Sequence, residues 1–155
     1  MGLDITAYQH VEYVGPGCGQ GCVELNISRP ERAMPLHSGL YHVFGDTYNF
    51  HAGSYGSYNR WRTSLCLAAH GTYPLIIWDN KSKYAGKPFV ELIDFSDCEG
   101  VIGPEVSTKL AEDFCAHAVM ARGWSIDDRG WFLTKYDEWQ KAFCLAAGAG
   151  AVIFH

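Results

Sequence analysis

The sequence predicts an α+β fold in which a small, mainly antiparallel sheet packs against about three helices. Short apolar runs typical of strands lie mainly in the first two thirds of the chain and at its end. Two stretches in the last third, residues 104–121 and 131–147, instead repeat apolar residues at helical spacing. The pair Gly45-Asp46 between two strand-like runs is typical of an antiparallel hairpin.

Strands are predicted where short apolar runs occur or where apolar and polar residues alternate. Residues 40–44 and 47–51 are expected to pair as a hairpin through Gly45-Asp46, and residues 89–95 form the strongest predicted strand. The full set of predicted strands comprises residues 3–14, 23–27, 40–44, 47–51, 73–78, 89–95 and 151–154.

Three helices are predicted from apolar residues that recur at helical spacing. The first covers residues 58–69, with Ser57 as its N-cap and Gly71 as its stop. The second begins at Pro104, a residue favoured in the first helical position, and extends to residue 121. The third covers residues 131–147.

The length of 155 residues and the 48% share of hydrophobic residues predict one domain, residues 1–155, with its own core. No apolar run reaches 18 residues, so no membrane interaction is expected. The first residues lack the basic and apolar parts of a secretory signal, which predicts a cytoplasmic protein. We therefore expect all six cysteines to be free thiols.

The charge of the chain argues against general nucleic-acid binding. Acidic residues outnumber basic ones by 17 to 12, the net charge is −5, and the basic residues are scattered. Binding to a duplex needs clustered lysines and arginines that displace counterions from the phosphates. A small anionic ligand held by two or three arginines remains compatible with this composition, because local geometry can override net charge.

Residues 51–62 form the first candidate binding segment, where a predicted strand ends, small residues turn the chain and a helix begins. Free N–H groups at a helix start can bind an anion, and arginines can add charged hydrogen bonds. We favour Arg62 as the arginine that contacts the ligand, and expect the protein to stay folded without it. The alternative is an ordinary capped helix with solvent-facing arginines. The candidate ligand-binding residues here are His51, Ser54, Tyr55, Ser57, Tyr58, Arg60 and Arg62.

Residues 96–104 form the second candidate segment, with Ser96, Asp97 and Glu99 as its candidate ligand-binding residues. In an extended chain Asp97 and Glu99 face the same way, which suits a cation or a sugar hydroxyl. Alternatively, the two acids cap the loop and the following helix. Because ligand crevices gather at the carboxyl ends of strands, we expect the two segments to lie close together.

The sequence predicts no metal site, no cofactor and no catalytic residue. Three residues separate Cys18 from Cys22, but a structural zinc site needs a second pair at usable spacing. The Gly-x-Ser-x-Gly pattern of a nucleophile elbow does not occur. No reaction is therefore specified.

Four stretches are distinctive as a set: Met-Gly-Leu-Asp-Ile at the start, Ala-Gly-Ser-Tyr with Tyr-Asn-Arg-Trp-Arg at 52–62, Phe-Ser-Asp-Cys-Glu-Gly-Val-Ile-Gly-Pro at 95–104, and Gly-Ala-Val-Ile-Phe-His at 150–155. Together they resemble a family of small, uncharacterised proteins that bacteriophages and prophages encode. The resemblance implies a phage context and supplies no mechanism. Small phage proteins often act against host defences, some by sequestering nucleotide signals.

Three functional hypotheses follow. The leading one is a phage-type, non-enzymatic protein that binds a small phosphate-bearing or nucleotide-like ligand, as a monomer or a homo-oligomer, and so sequesters a host signal. The first alternative is a small metal-assisted hydrolase that uses Asp97 and Glu99. The second is an inhibitor whose exposed aromatic side chains dock on a host enzyme.

Overall fold

A curled sheet of five antiparallel strands packs against helices, which confirms the predicted α+β class. The computed structural model describes residues 1–17, 19–124 and 129–155 of the chain. Across the sheet the strand order is β2-β3-β1-β5-β4, so that β1 is central. The strands are β1 (Gly2–Tyr13), β2 (Cys22–Leu25), β3 (Gly39–Ser54), β4 (Gly100–Ile102) and β5 (Ala151–Phe154).

Eight helices lie in the described residues, three of them long and five of one or two turns. The long helices α2, α6 and α8 correspond to the three that the sequence predicts. In chain order the helices are α1 (Pro30–Ala33), α2 (Tyr55–His70), α3 (Pro74–Asp79), α4 (Lys81–Tyr84), α5 (Val90–Ile93), α6 (Pro104–Ala116), α7 (Ala118–Gly123) and α8 (Trp131–Ala146).

The larger hydrophobic core lies between the sheet and the long helices. Leu3, Ile5 and Ala7, which alternate along β1, are fully buried on the side that faces these helices. Each large side chain buried in this way contributes about 1.5–3 kcal/mol. Trp139 of α8 joins the aromatic part of the core, with ring centroids 5.0 to 5.9 Å from those of Phe50, Tyr58, Trp61, Phe143 and Phe154.

A smaller cluster is separate from this core. It contains five buried residues, one from each of the five strands, namely Val11, Leu25, Tyr41, Val101 and Ala151. Leu36 and Ile27, from the segments between β2 and β3, pack against it. The cluster therefore packs β2, and the segment that follows it, against β5 and β4, which lie toward the opposite edge of the sheet.

Strand β3 corrects the predicted hairpin at Gly45-Asp46. Residues 40–51 continue as one strand instead of turning back, because both halves pair with β1. The register changes beside Gln9, whose side-chain oxygen accepts a hydrogen bond from the Asp46 N–H at 2.8 Å. Gly45 has a φ of 75°, so this glycine serves a β-bulge within a strand.

The predicted strands at residues 73–78 and 89–95 are wrong, because these runs contain the short helices α3 and α5. A short apolar run without alternation fits a buried helical turn as well as a buried strand. Pro74 occupies the start of α3, where its fixed φ suits a helix. In α5, Leu92 and Ile93 are both fully buried, so the hydrophobicity of the run reflects burial among helices.

Two further predictions need correction. The predicted helix at 104–121 is divided at His117 into α6 and α7. The expectation of six free thiols is wrong at Cys22, which is disulfide-bonded. Among the described cysteines the free thiols are Cys66, which is buried, and the exposed Cys98, Cys115 and Cys144.

Candidate functional site

The start of α2 is capped by its own residues. β3 leads directly into the helix, so Ser54 and not the predicted Ser57 is the N-cap. The Ser54 side chain accepts a hydrogen bond from the Ser57 N–H at 3.1 Å, and the Ser57 hydroxyl donates to the Ser54 carbonyl at 3.0 Å. Gly53, with a φ of 123°, allows the sharp change from strand to helix. These two serines are therefore engaged in capping the helix.

The two candidate segments lie in contact, as the sequence analysis expects. The Asn59 side-chain amide donates to Asp97 Oδ2 at 2.7 Å. Arg62 donates from one end of its guanidinium to the Phe95 carbonyl at 2.6 Å, and from the other end to Asn59 Oδ1. Helix α2 thus holds the chain between α5 and β4 through a side-chain network.

Arg62 is the centre of this network and is buried, with 5% of its surface exposed. Its guanidinium carbon lies 5.2 Å from the centroid of the Tyr58 ring and 5.7 Å from that of the Trp78 ring. Tyr58 is itself fully buried, and burial raises the pKa of its hydroxyl to about 12. Arg62 and Tyr58 therefore have a structural position beneath the surface of the first candidate segment and are not exposed to a ligand.

The other residues of the first segment lie nearer the surface. Arg60 is exposed beside Trp131, with its guanidinium carbon 5.9 Å from the ring centroid, and Tyr55 is half-buried at the edge of the core. His51 is exposed on β3, where its Nδ1 lies 2.7 Å from the Asp4 carboxylate on β1. None of these three side chains lines the cavity beside Glu99 or the one beside Asp94.

Ser96 shapes the second segment. Its hydroxyl oxygen accepts hydrogen bonds from the Cys98 N–H at 3.2 Å and the Glu99 N–H at 3.1 Å. This turn begins directly after Phe95 and contains Asp97, and it directs the chain into β4. Asp97 is thereby held against α2, whereas Cys98 and Glu99 line a neighbouring cavity.

This cavity, the main cavity, has a volume of about 620 Å³. It lies where the chain that leaves β2 passes beside β4 and the end of β5. Apolar side chains from Ile27, Val101 and Ile153 form part of its wall. Its polar lining comes from Glu24, Asn26, Ser28, Ser38, Cys98, Glu99 and His155.

The charges around the main cavity are negative. Glu24 and Glu99 are both exposed carboxylates, and no lysine or arginine lines the cavity in the described residues. His155 is fixed at the wall by a 2.9 Å contact between its Nε2 and the Thr6 hydroxyl. The lining therefore suits hydroxyl or amino groups and disfavours a phosphate.

Sequence reasoning identified Glu99 but missed the opposite wall. Glu24, Asn26 and Ser28 occupy alternate positions at the end of β2 and beyond it, a period-two polar pattern that marks one side of an extended chain. That pattern was a usable signal of a polar surface. What it faces depends on the approach of β4 and β5, which are more than 70 residues away in the chain.

Comparisons with known proteins give no family assignment, since no family model, no curated protein and no solved structure matches the chain. In the residues that the structure describes, no group of three or more His, Cys, Asp or Glu is arranged to hold a metal ion. No helix in the same residues is long and apolar enough to cross a membrane.

Proposed function

We propose that the protein binds a small nucleotide-like molecule without converting it, and that the main cavity holds the hydroxyl-bearing part of that ligand. The observation that carries the proposal is the cavity itself, about 620 Å³ in volume and lined by both carboxylates and apolar side chains. Small-molecule sites generally have volumes of about 300–1,000 Å³ and combine apolar walls with a few polar groups.

The lining supports a ribose-like group in particular. A carboxylate accepts hydrogen bonds from neighbouring hydroxyls, and an acidic residue that binds a ribose hydroxyl is a recurrent feature of nucleotide sites. Glu99 is the best candidate for this contact, because the Ser96 turn fixes its backbone at the cavity wall. Ile27 and Ile153 offer an apolar surface to a planar base.

Binding is better supported than hydrolysis. The hydrolase hypothesis needs Asp97 and Glu99 to act on one substrate. Asp97 Oδ2 instead accepts the Asn59 amide at 2.7 Å on the α2 side of the segment, whereas Glu99 belongs to the main cavity. In a phage context, binding of this kind would sequester a host signal, and that role rests on the sequence resemblance alone.

Calorimetric titration with adenosine, 2′-deoxyadenosine and ribose tests the proposal. We expect adenosine to bind, and to bind more tightly than the deoxynucleoside, which lacks one hydroxyl. Glu99→Gln should weaken adenosine binding by about tenfold or more, the effect of losing one charged hydrogen bond. Glu112→Gln is the matched control, because it removes an exposed carboxylate on α6, outside the cavity lining.

Two results would overturn the proposal. One is the absence of binding by adenosine, guanosine, cytidine and uridine alike. The other is an equal effect of the Glu99 and Glu112 variants, which would mean that binding does not depend on the main cavity. Native mass spectrometry of the protein purified from cells complements the titration, because a retained nucleotide-like molecule would be seen directly.

A further inference from the structure

A second cavity, of about 400 Å³, contains a cluster of cations. We refer to it as the basic cleft. Arg29 and Arg32, from the start of α1, line one part of it, and Lys81 of α4 lines another. Arg29 follows directly after Ser28, which lines the main cavity, so one segment of the chain contributes to both cavities.

The three cations converge on a single oxygen atom. Asp94 Oδ2 lies 3.4 Å from Arg29 Nη2, 3.5 Å from Arg32 Nη2 and 3.3 Å from Lys81 Nζ. A charged hydrogen bond of good geometry is about 2.7–2.9 Å long, so all three contacts are longer than optimal. One carboxylate oxygen also has lone pairs for only about two donors. Asp94 therefore does not satisfy the cations around it.

Some N–H groups of the three cations remain without an acceptor or are open to solvent. Arg32 Nε is buried and has no hydrogen-bond partner, and a buried unpaired donor costs about 1–3 kcal/mol. Lys81 has 61% of its side chain exposed, so its ammonium can be reached from solvent. Arg29 donates from Nε to Glu31 at 2.8 Å, and its Nη1 donates to the Asp94 backbone carbonyl.

The other two acidic residues of the cleft, Glu31 and Glu91, are each paired with a cation elsewhere than at Asp94 Oδ2. Glu31 binds Arg29 from the outside, with 54% of its side chain exposed. Glu91 is paired with Lys109 at 2.7 Å, a lysine that does not line the cleft. Three cations thus converge on one carboxylate oxygen, and neither Glu31 nor Glu91 lies at that point of convergence in the ion pairs that the structure shows.

We propose that the basic cleft is a binding site for a phosphate group. A phosphate has three or more acceptor oxygens, so it can accept from both guanidinium groups and the ammonium at once. Asp94 orients the three cations before the ligand arrives. The ligand class is a phosphate monoester or a diphosphate, whose charge exceeds that of the one carboxylate.

A phosphate site in the basic cleft deepens the proposed function. It rests on that function only for the identity of the part of the ligand outside the cleft. The carboxylates of the main cavity disfavour a phosphate, whereas the basic cleft, which is lined by the next residue of the same segment, contains cations. The phosphate site can nevertheless be tested alone.

The experiment is titration of the whole protein with inorganic phosphate and pyrophosphate, followed by calorimetry and by ³¹P resonance broadening. We expect saturable binding that is tighter for pyrophosphate and weakens as salt is raised. Lys81→Gln should lower the affinity by about tenfold or more. Lys83→Gln is the matched control, because Lys83 lies on the same short helix, outside the cleft, and its ammonium faces the Tyr84 ring.

Arg32→Gln should abolish phosphate binding, and the Lys81 variant keeps the test valid if loss of Arg32 impairs folding. Absence of saturable binding, or equal affinities of the Lys81 and Lys83 variants, would overturn the inference. Phosphate binding without nucleoside binding would refute the proposed function and leave this site in place. Nucleoside binding without phosphate binding would refute the phosphate site and leave the proposed function in place.

Discussion

Replacement of Arg62 by alanine tests whether this arginine holds the two candidate segments together. The variant removes the donors to the Phe95 carbonyl and to Asn59. The Phe95 carbonyl then lacks the donor that it has in the native protein. Charged hydrogen bonds contribute about 1.5–3 kcal/mol each, and an unsatisfied buried group costs about 1–3 kcal/mol. A guanidinium over aromatic rings adds about 0.5–2 kcal/mol.

These contributions overlap, and part of them is offset because the variant no longer buries a guanidinium. We therefore expect the free energy of unfolding to fall by about 3 kcal/mol. For a domain of this size, each kcal/mol lowers Tm by about 2–4 °C, which gives a decrease of about 6–12 °C. Urea unfolding monitored by tryptophan fluorescence measures the first quantity and thermal unfolding the second.

Arg60→Ala provides the control from the same helix. Arg60 is exposed and has only the Trp131 ring beside it among the contacts that the structure defines, so its loss should cost less than about 1 kcal/mol. Arg62→Lys should lie between the two, because a lysine keeps the charge but lacks the forked donors. If Arg62→Ala proved no more destabilising than Arg60→Ala, the network would have no structural role, and the surface-binding hypothesis for Arg62 would regain support.

Two further predictions concern a thiol and a glycine. In the native protein near neutral pH, the exposed Cys98 and Cys115 should react quickly with an aromatic disulfide reagent, and Cys144 more slowly, because burial raises the pKa of its thiol. Cys66 should react only on unfolding, because burial raises its pKa to about 11 and disfavours the thiolate. Fast labelling of Cys66 in the native protein, identified by peptide mapping, would contradict this. Gly103→Ala should destabilise the protein by about 1–3 kcal/mol, since an added Cβ would overlap the Ala33 carbonyl. It should also weaken phosphate binding, because the Gly103 N–H binds the Arg32 carbonyl at 2.9 Å. Gly123→Ala, where a Cβ meets open space, is its control and should leave both stability and binding nearly unchanged.

The elements that the sequence predicted well are those whose pattern is strong over their whole length. β1 differs from its prediction by one residue at each end, α8 ends one residue earlier, and β5 has the predicted bounds. The prediction of a hairpin was wrong because Gly45-Asp46 is a strong local turn pattern. The sequence does not show that Asp46 instead binds the distant Gln9 within a β-bulge. The runs at 73–78 and 89–95 failed because shortness and uniform hydrophobicity do not distinguish a strand from a buried helical turn.

The candidate site was predicted in part for a similar reason. Glu99 follows a buried run and precedes a helix, a local arrangement that sequence reasoning can recognise. Each of the two cavities, however, is assembled from distant segments. Glu24 and Glu99 share one cavity, and Arg29 and Lys81 share the other, only because the chain after β2 crosses to the side of β4 and α5. No local pattern contains that information.

The position of β5 also imposes an order on folding. This strand lies between β1 and β4, so Ile5, which pairs with Phe50 of β3 on one side, has its second partner only when Phe154 is present, and Gly100 likewise pairs with Phe154. During synthesis the edge of β1 that faces β5 and the whole of β4 stay unpaired until the later residues of β5 have been added. Contacts of such large sequence separation slow folding and expose unpaired strand edges to aggregation. The main cavity, which has Ile153 in its wall, consequently forms only after β5 has joined the sheet.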